Sequence, residues 1–111
     1  LDPLTLIADN AWCGGIVIGS PSKSWRQFDL ANISAKLSYN GEIESTNTGA
    51  AMGNPLNSLA WLATLLGEQG RPLQAGDIVM SGSTLATKFA RKGDHAVYEV
   101  EGVGTVEVSI D

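Results

Sequence analysis

The chain has 111 residues, 43% of them hydrophobic and 17% charged, which fits one folded domain and excludes an intrinsically disordered chain. A net charge of −5 and the lack of any lysine or arginine cluster argue against nucleic-acid binding, because a basic surface is needed to neutralise phosphates. No apolar run approaches the roughly 20 residues that span a membrane, and no basic-then-apolar leader is visible, so we expect neither membrane insertion nor secretion.

The N-terminal segment, residues 4–19, has two apolar runs on either side of a polar, glycine-ended turn. The first run ends at Ala8, and the turn extends from Asp9 to Gly15. The second run, Ile16 to Ile18, is β-branched and predicts a short buried strand. Residues 20–27 are polar around Pro21 and predict a surface loop.

Residues 33–48 predict a β-hairpin. Apolar and polar residues alternate from Ile33 to Tyr39, so one face of this strand should be buried and the other exposed. Asn40-Gly41 then supplies the two positive-φ positions of a type I′ turn. Glu42 to Thr48 is expected to return as the partner strand.

Residues 54–69 predict the one clear helix. Asn54 can cap the first N–H groups, and Pro55 suits the first helical position. The segment is apolar over most of its circumference, which is typical of a helix that is buried or lies at an interface. Gly70 is expected to end it, with Pro72 close behind.

The C-terminal third predicts further strands at Ile78–Met80, His95–Glu101 and Thr105–Ile110. In the last of these, the alternation directs Val106 and Val108 inward and Glu107 outward. The order of elements predicts an α+β fold, a mixed and largely antiparallel β-roll with one central buried helix, in a single domain of residues 1–111.

The residues that most often carry catalysis are sparse. His95 is the only histidine, so neither a catalytic triad nor a histidine-rich metal site can be built around it, and an exposed histidine at a strand edge is the simpler interpretation. Cys13, the only cysteine, is expected to be a small buried thiol in a reducing cytoplasm. Glu42 and Glu44 share a strand face beside the hairpin tip and are expected to be solvated. We predict no metal ligand in this chain.

Two short segments are candidates for binding a ligand. Ser81-Gly82-Ser83-Thr84 follows an apolar run, and its hydroxyl and N–H groups can hold a carboxylate, although a plain strand-end turn has the same pattern. Asp9-Asn10-Ala11 also presents polar atoms after an apolar run, with an Asx-type turn as the alternative.

The order of several motifs carries more information than any one of them. Ala8-Asp9-Asn10-Ala11 and Gly15-Ile16-Val17-Ile18-Gly19 come first, and Gly53-Asn54-Pro55, Ala75-Gly76-Asp77 and Gly102-Val103-Gly104 follow. This succession resembles the C-terminal half of the hydratase and decarboxylase branch of the fumarylacetoacetate-hydrolase superfamily. The resemblance covers nearly the whole chain, which would then be the C-terminal portion of a catalytic domain.

The resemblance implies an enzyme that acts on 2-oxo or 2-hydroxydienoate acids from the meta-cleavage of aromatic rings. In the family, magnesium or manganese chelates the substrate's carboxylate and 2-oxygen and stabilises enolate charge. The metal ligands and a catalytic lysine lie upstream of the segment that matches Asp9-Asn10-Ala11, so neither is assigned to this chain, and the catalytic residues are unknown.

The family pattern carries substrate-binding roles onto six residues of this chain. They are Asp9, Asn10, Ala11, Ser81, Gly82 and Ser83. The chain departs from the pattern at Ser83, where several hydratases have alanine, and at Trp12-Cys13, where a small polar pair is expected.

Three functions follow from these observations. The preferred one is part of a hydro-lyase that adds water to a 2-hydroxypenta-2,4-dienoate-like acid, giving a 4-hydroxy-2-oxo acid. The resemblance of residues 53–57 and 60–63 to that branch is the reason for the preference. The alternatives are a 4-oxalocrotonate-type 2-oxo acid decarboxylase and a non-catalytic module that binds a partner subunit through the helix. The resemblance also implies a homo-oligomer, with a decarboxylase or hydratase as a further partner.

Overall fold

A computed structural model describes residues 2–111 of the chain. Its helices are α1 (Pro3–Ala8) and α2 (Pro55–Glu68), and its strands are β1 (Ser34–Tyr39), β2 (Glu42–Asn47), β3 (His95–Val100) and β4 (Gly104–Ser109). Short 3-10 segments lie at Asn10–Trp12, Trp25–Gln27 and Thr48–Ala50. The predicted α+β class is confirmed. Within the described residues, no helix has both the length and the apolarity needed to cross a membrane.

The four strands form one antiparallel sheet in the order β2-β1-β3-β4. The β1–β2 hairpin pairs Tyr39 with Glu42 across a two-residue loop. Both loop residues have positive φ, 51° at Asn40 and 84° at Gly41, as a type I′ turn requires. The predicted hairpin and its turn are therefore confirmed.

The strand register gives the sheet two chemically different faces. One, which we call the apolar face, carries Ala35, Leu37, Tyr98, Val100, Val106 and Val108. The opposite polar face carries the Lys36–Glu99 ion pair at 3.4 Å and a contact between the His95 Nε2 and the Glu107 carboxylate at 2.6 Å. Val106 and Val108 are less exposed than Glu107, so the alternation predicted for the last strand is confirmed.

Helix α2 begins and ends as its sequence predicts. The Asn54 Oδ1 accepts a hydrogen bond from the Leu56 N–H at 2.9 Å, and Pro55 is the first helical residue. At the C-terminus, the Gly70 N–H donates to the Gly67 carbonyl at 3.1 Å and the Arg71 N–H to the Leu66 carbonyl at 2.8 Å. This pair of bonds is a Schellman motif.

The predicted burial of α2 is wrong for the described residues. None of its residues is buried, and Trp61 is 67% exposed. The physical reason is the absence of a partner, because no strand or helix within residues 2–111 packs extensively against α2. A helix that is apolar around most of its circumference therefore remains largely open to solvent.

Two predicted strands, Ile16–Ile18 and Ile78–Met80, are also wrong for the described residues. Both segments are free of regular secondary structure, and all of their side chains except the half-buried Val79 are exposed, Ile18 at 58% and Met80 at 71%. A strand exists through its hydrogen bonds to a neighbour, and residues 2–111 supply no neighbour for either segment. The sequence pattern identified apolar runs but not their pairing.

Helix α1 was not predicted, although its start has a recognisable pattern. The Asp2 Oδ1 accepts a hydrogen bond from the Thr5 N–H at 2.9 Å, and Pro3 occupies the first helical position. An aspartate followed by proline is a common way to begin a helix. The helix has only six residues, too few for an apolar period to be visible in the sequence.

The described residues form a small core and leave an unusually large surface. Their buried hydrophobic residues are Ile33, Ala35 and Ala51. The accessible surface is 8433 Å², whereas a compact folded chain of this mass exposes about 5,800 Å². The radius of gyration is 15.3 Å, against about 13 Å for a compact chain of this length. The excess surface means that residues 2–111 do not enclose a full-sized core.

Candidate functional site

A cleft of about 580 Å³ lies on the apolar face, between the sheet and the segment Ser81–Lys88. Leu37, Tyr98 and Val100 line it from the sheet. Thr48, Ala51 and Pro55 also line it, from the chain that leads from β2 into α2. The walls therefore combine aliphatic groups with several hydroxyls, a mixture that is typical of small-molecule sites.

Three side-chain contacts hold the Ser81–Lys88 segment on the sheet. The Thr46 hydroxyl donates to the Thr84 carbonyl at 2.7 Å, and the Thr84 hydroxyl shares a hydrogen bond with the Tyr98 hydroxyl at 2.8 Å. Further along, the Lys88 ammonium donates to the Glu44 carboxylate. Glu44 and Thr46 lie two residues apart on the same face of β2, so the segment crosses that strand toward the hairpin tip.

Ser81, Gly82 and Ser83 all line this cleft. Ser81 is half-buried, whereas Gly82 and Ser83 are exposed. The Ser83 hydroxyl donates to the Leu85 carbonyl at 2.6 Å, so its oxygen remains available as an acceptor. The three residues are therefore accessible from the cleft, and their substrate-binding role stays a prediction.

Asp9, Asn10 and Ala11 are not among the described residues that line the cleft. They form an exposed turn after α1, with positive φ at Asn10 (50°), Ala11 (52°) and Trp12 (63°). Such a left-handed run of non-glycine residues costs roughly 1–2 kcal/mol per residue. Backbone bonds hold the turn, including one from Trp12 N–H to the Asp9 carbonyl at 3.2 Å. The Asp9 side chain makes no capping bond there, which contradicts the Asx-turn alternative.

The lone cysteine and histidine lie away from the cleft. Cys13 is exposed, so the expectation of a buried thiol is wrong; its turn follows the open end of α1, where no described element covers it. His95 begins β3, and its Nε2 contacts Glu107 on the polar face. Within residues 2–111, no group of three or more histidine, cysteine, aspartate or glutamate side chains is placed to hold a metal ion.

Glu44 and Tyr98 gain roles that were not predicted from the sequence. Glu44 was expected to be solvated beside Glu42, but it pairs with Lys88 at the edge of the cleft. Tyr98 lies beside Leu37 in the register, and its hydroxyl bonds to Thr84. The alternation in β3 could have placed Tyr98 on a face with Val100. Residues 81–90 have no hydrophobic periodicity, so no sequence pattern indicated that Lys88 would lie at the cleft.

Comparisons with known proteins agree with this geometry. Residues 3–111 match the family described as fumarylacetoacetate (FAA) hydrolase C-terminal. The chain is 39% identical over 106 residues to the 2-keto-4-pentenoate hydratase of Paraburkholderia xenovorans strain LB400, covering 95% of this chain and 39% of that protein.

Two solved structures of 4-oxalocrotonate decarboxylase from Pseudomonas putida G7 have the same fold as this chain. Both have a TM-score of 0.89 and 32% identity, and both cover 99% of this chain. One is complexed with calcium and acetate, and the other with magnesium and adipate. This chain covers 43% and 42% of those chains, respectively, so it spans well under half the length of the relatives that it matches.

Proposed function

The chain belongs to the fumarylacetoacetate hydrolase family, and from that premise we propose that it is the C-terminal part of a divalent-metal-dependent lyase. The reaction is the addition of water to a 2-hydroxydienoate, giving a 4-hydroxy-2-oxo acid in the catabolism of aromatic compounds. The observation that carries the proposal is the 39% identity to a 2-keto-4-pentenoate hydratase along 95% of the chain. The cleft on the apolar face supports it, because its walls suit an acid with an unsaturated chain.

The catalytic domain in this proposal is larger than residues 1–111. The chain spans 39% of the hydratase that it resembles, and its surface exceeds that of a compact chain by about 2,600 Å². The exposed side chains of Ile18, Trp61 and Met80 are the positions where additional polypeptide would pack. These residues would then be interior residues of the complete domain.

Within that domain, this chain contributes the part of the site that holds the substrate. Ser81, Gly82 and Ser83 would contact the acid through hydroxyl and N–H groups, and Leu37 and Val100 would pack against its carbon chain and exclude water. The family resemblance also assigns a substrate contact to the turn at residues 9–11, which is not among the described residues that line the cleft. Catalytic proton transfers are not assigned to any residue of this chain.

The proposal includes magnesium or manganese. Two solved relatives are complexed with calcium or magnesium. The described residues alone do not fit such an ion, because residues 2–111 contain no cluster of three or more metal-binding side chains. The ligands would therefore belong to another part of the native protein, and the residues of this chain would act on the substrate rather than on the ion.

The experiment is an assay of the protein at its native length, whose intact mass is determined first. We expect a mass about twice that of this chain or more, and consumption of 2-hydroxypenta-2,4-dienoate that stops with EDTA and returns with magnesium. Ser81→Ala should lower kcat/KM by roughly tenfold, since it removes a hydrogen bond to a charged group. Ser45→Ala, on the polar face, is the matched control and should leave the rate unchanged.

Two results would contradict the proposal. Consumption of the dienoate that is insensitive to chelation would exclude the metal-dependent mechanism. An intact native mass equal to that of these 111 residues would leave the chain without the remainder of the catalytic domain. A non-catalytic module that binds a partner through α2 would then be the better account.

A decarboxylase is the second candidate, because two solved structures that match 99% of the chain are 4-oxalocrotonate decarboxylases. Both reactions start from related 2-oxo acids, so the two activities are separated by product. The hydratase should give a 4-hydroxy-2-oxo acid without gas release. Release of stoichiometric carbon dioxide from 4-oxalocrotonate would show that the protein is a decarboxylase and would overturn the hydratase proposal.

The proposal also covers assembly and location. A homo-oligomer is part of the proposal on the strength of the family resemblance, and a hydratase or decarboxylase is a further partner in it. A single cysteine supports a cytoplasmic protein. Light scattering of the native protein, compared with its mass under denaturing conditions, tests the homo-oligomer directly.

A further inference from the structure

A smaller cavity of about 210 Å³ lies beside the cleft on the same apolar face. The cleft extends over β1 and β3, where Leu37, Tyr98 and Val100 line it. The smaller cavity extends over β3 and β4, and Val106 of β4 lines it. Tyr98 and Val100 line both spaces, so the cleft and the smaller cavity are neighbours across β3 that share one wall.

The smaller cavity has an open floor and a closed far side. Its floor is open beside Val100, because the register partner Gly104 has no side chain and nothing lies within 4 Å of where its Cβ would be. On the far side, a Cβ at Gly19 would lie 2.8 Å from the Val106 Cγ1, so the backbone there is in contact with β4. None of the described residues that line this cavity is charged, so it suits an apolar group.

Tyr98 is the larger of the two residues in the shared wall, and its ring is restrained at both ends. In the sheet it lies between Leu37 of β1 and Val106 of β4. Side chains stand roughly perpendicular to a sheet, so the ring rises from β3 between the two spaces. At its far end, the hydroxyl shares a 2.8 Å hydrogen bond with the hydroxyl of Thr84. The ring therefore separates the cleft from the smaller cavity.

We infer that Tyr98 limits the length of the carbon chain that the cleft accepts. The inference rests on the proposed function, in which the Ser81–Ser83 turn contacts the carboxylate of a dienoate. That turn adjoins Thr84, which is bonded to Tyr98. The apolar end of a short dienoate then stops at the ring, and a longer chain has to pass the ring to enter the smaller cavity. Tyr98 is a specificity-determining residue and takes no part in the proton transfers.

A purely structural role is the competing explanation. Tyr98 would then serve only to hold the Ser81–Lys88 segment on the sheet through its bond to Thr84. Thr46 holds the same segment through the Thr84 carbonyl but is not among the described residues that line either space. A structural role predicts that loss of either contact lowers activity equally for short and long substrates.

The test compares kcat/KM for 2-hydroxypenta-2,4-dienoate and 2-hydroxyocta-2,4-dienoate in the magnesium-loaded protein at native length. The readout is the ratio of the eight-carbon to the five-carbon value, because a ratio measured on one sample does not depend on the fraction of folded protein. The wild type should favour the five-carbon acid. Tyr98→Ala should raise the ratio by roughly tenfold or more, since each methylene that becomes buried contributes about fourfold.

Two milder variants test the same wall without truncating it. Tyr98→Phe keeps the ring but loses its hydrogen bond, and Thr84→Val removes the other partner of that bond. Each should raise the ratio by about threefold, because a less restrained ring obstructs the long chain less. The double variant should show no more than either single one, since both changes remove the same bond. Thr46→Val is the matched control and should leave the ratio unchanged.

An unchanged ratio in Tyr98→Ala, or in both milder variants if Tyr98→Ala does not fold, would overturn the inference in favour of the structural role. A rise in Thr46→Val as large as in Thr84→Val would do the same. Calorimetry with 2-oxopentanoate and 2-oxooctanoate separates the inference from the proposed function. Binding whose length preference shifts in Tyr98→Ala, without consumption of either dienoate, would refute the hydratase and keep the role of Tyr98. Neither binding nor consumption in the wild type would refute both.

Discussion

The Tyr39 hydroxyl donates a hydrogen bond to the Asp94 carboxylate, which joins the end of β1 to the turn before β3. Asp94 also accepts hydrogen bonds from the Asn40 amide at 3.0 Å and the Arg91 N–H at 2.8 Å. These bonds, the one from Tyr39 first, lower the pKa of Asp94 from 3.8 to about 2. The same bond raises the pKa of Tyr39 above its usual 10.0.

Asp94 should therefore make the free energy of unfolding depend on pH under acidic conditions. Its pKa is lower in the folded chain than in the unfolded one, so its stabilising contribution is complete above about pH 4 and disappears as pH falls toward about 2. Asp94→Asn should lower the melting temperature at pH 7 and flatten its decline below about pH 4. Asp9→Asn removes an exposed carboxylate and is the control. Parallel pH profiles for wild type and Asp94→Asn would contradict this prediction.

The hydroxyl contacts that hold the Ser81–Lys88 segment should be measurable in stability and exchange. Thr46→Val removes the donor to the Thr84 carbonyl and should cost about 1 kcal/mol of unfolding free energy. Hydrogen exchange should become faster within the segment. Thr64→Val is the control, because its hydroxyl only bonds back to the Ala60 carbonyl within an exposed helix. Unchanged exchange in the segment would mean that other contacts hold it on the sheet.

Gly49 and Gly67 should respond in opposite ways to alanine. A Cβ at Gly49 would lie 2.3 Å from the Ala31 carbonyl oxygen, so Gly49→Ala must displace backbone and should destabilise the fold by about 1–3 kcal/mol. Nothing lies within 4 Å of a Cβ at Gly67, which is in α2, so Gly67→Ala should stabilise by roughly 0.5–1 kcal/mol. Chemical denaturation gives both values, and effects of the same sign would refute the close approach at Gly49.

Trp61 tests whether additional polypeptide covers α2. The side chain is 67% exposed in residues 2–111, and truncation of so exposed a residue should cost less than about 0.5 kcal/mol. If the proposed larger domain covers it, Trp61→Ala in the native-length protein should instead cost about 3 kcal/mol. Denaturant unfolding measures the difference. A cost of less than about 0.5 kcal/mol would show that α2 remains exposed to solvent in the native protein.

Features set by neighbouring residues could be predicted from the sequence. Asn40-Gly41 determines its turn because few residue pairs tolerate two successive positive φ values, and the ends of α2 follow from local bonds at Asn54 and Gly70. The buried and exposed faces of the strand from Ile33 to Tyr39 could be predicted because they depend only on the two-residue period of side chains along a strand. The resemblance to the fumarylacetoacetate hydrolase family was also present in the order of motifs along the chain, and the family match over residues 3–111 confirms it.

Features that depend on distant partners were decided only by the tertiary structure. Ile16–Ile18 and Ile78–Met80 are apolar enough to be strands, but a strand needs a neighbour to accept and donate its backbone hydrogen bonds, and residues 2–111 provide none. The apolar helix α2 is exposed for a similar reason, since burial requires a packing surface. The Lys88–Glu44 pair joins residues 44 positions apart, and no local pattern can encode which strand face an irregular segment will cross.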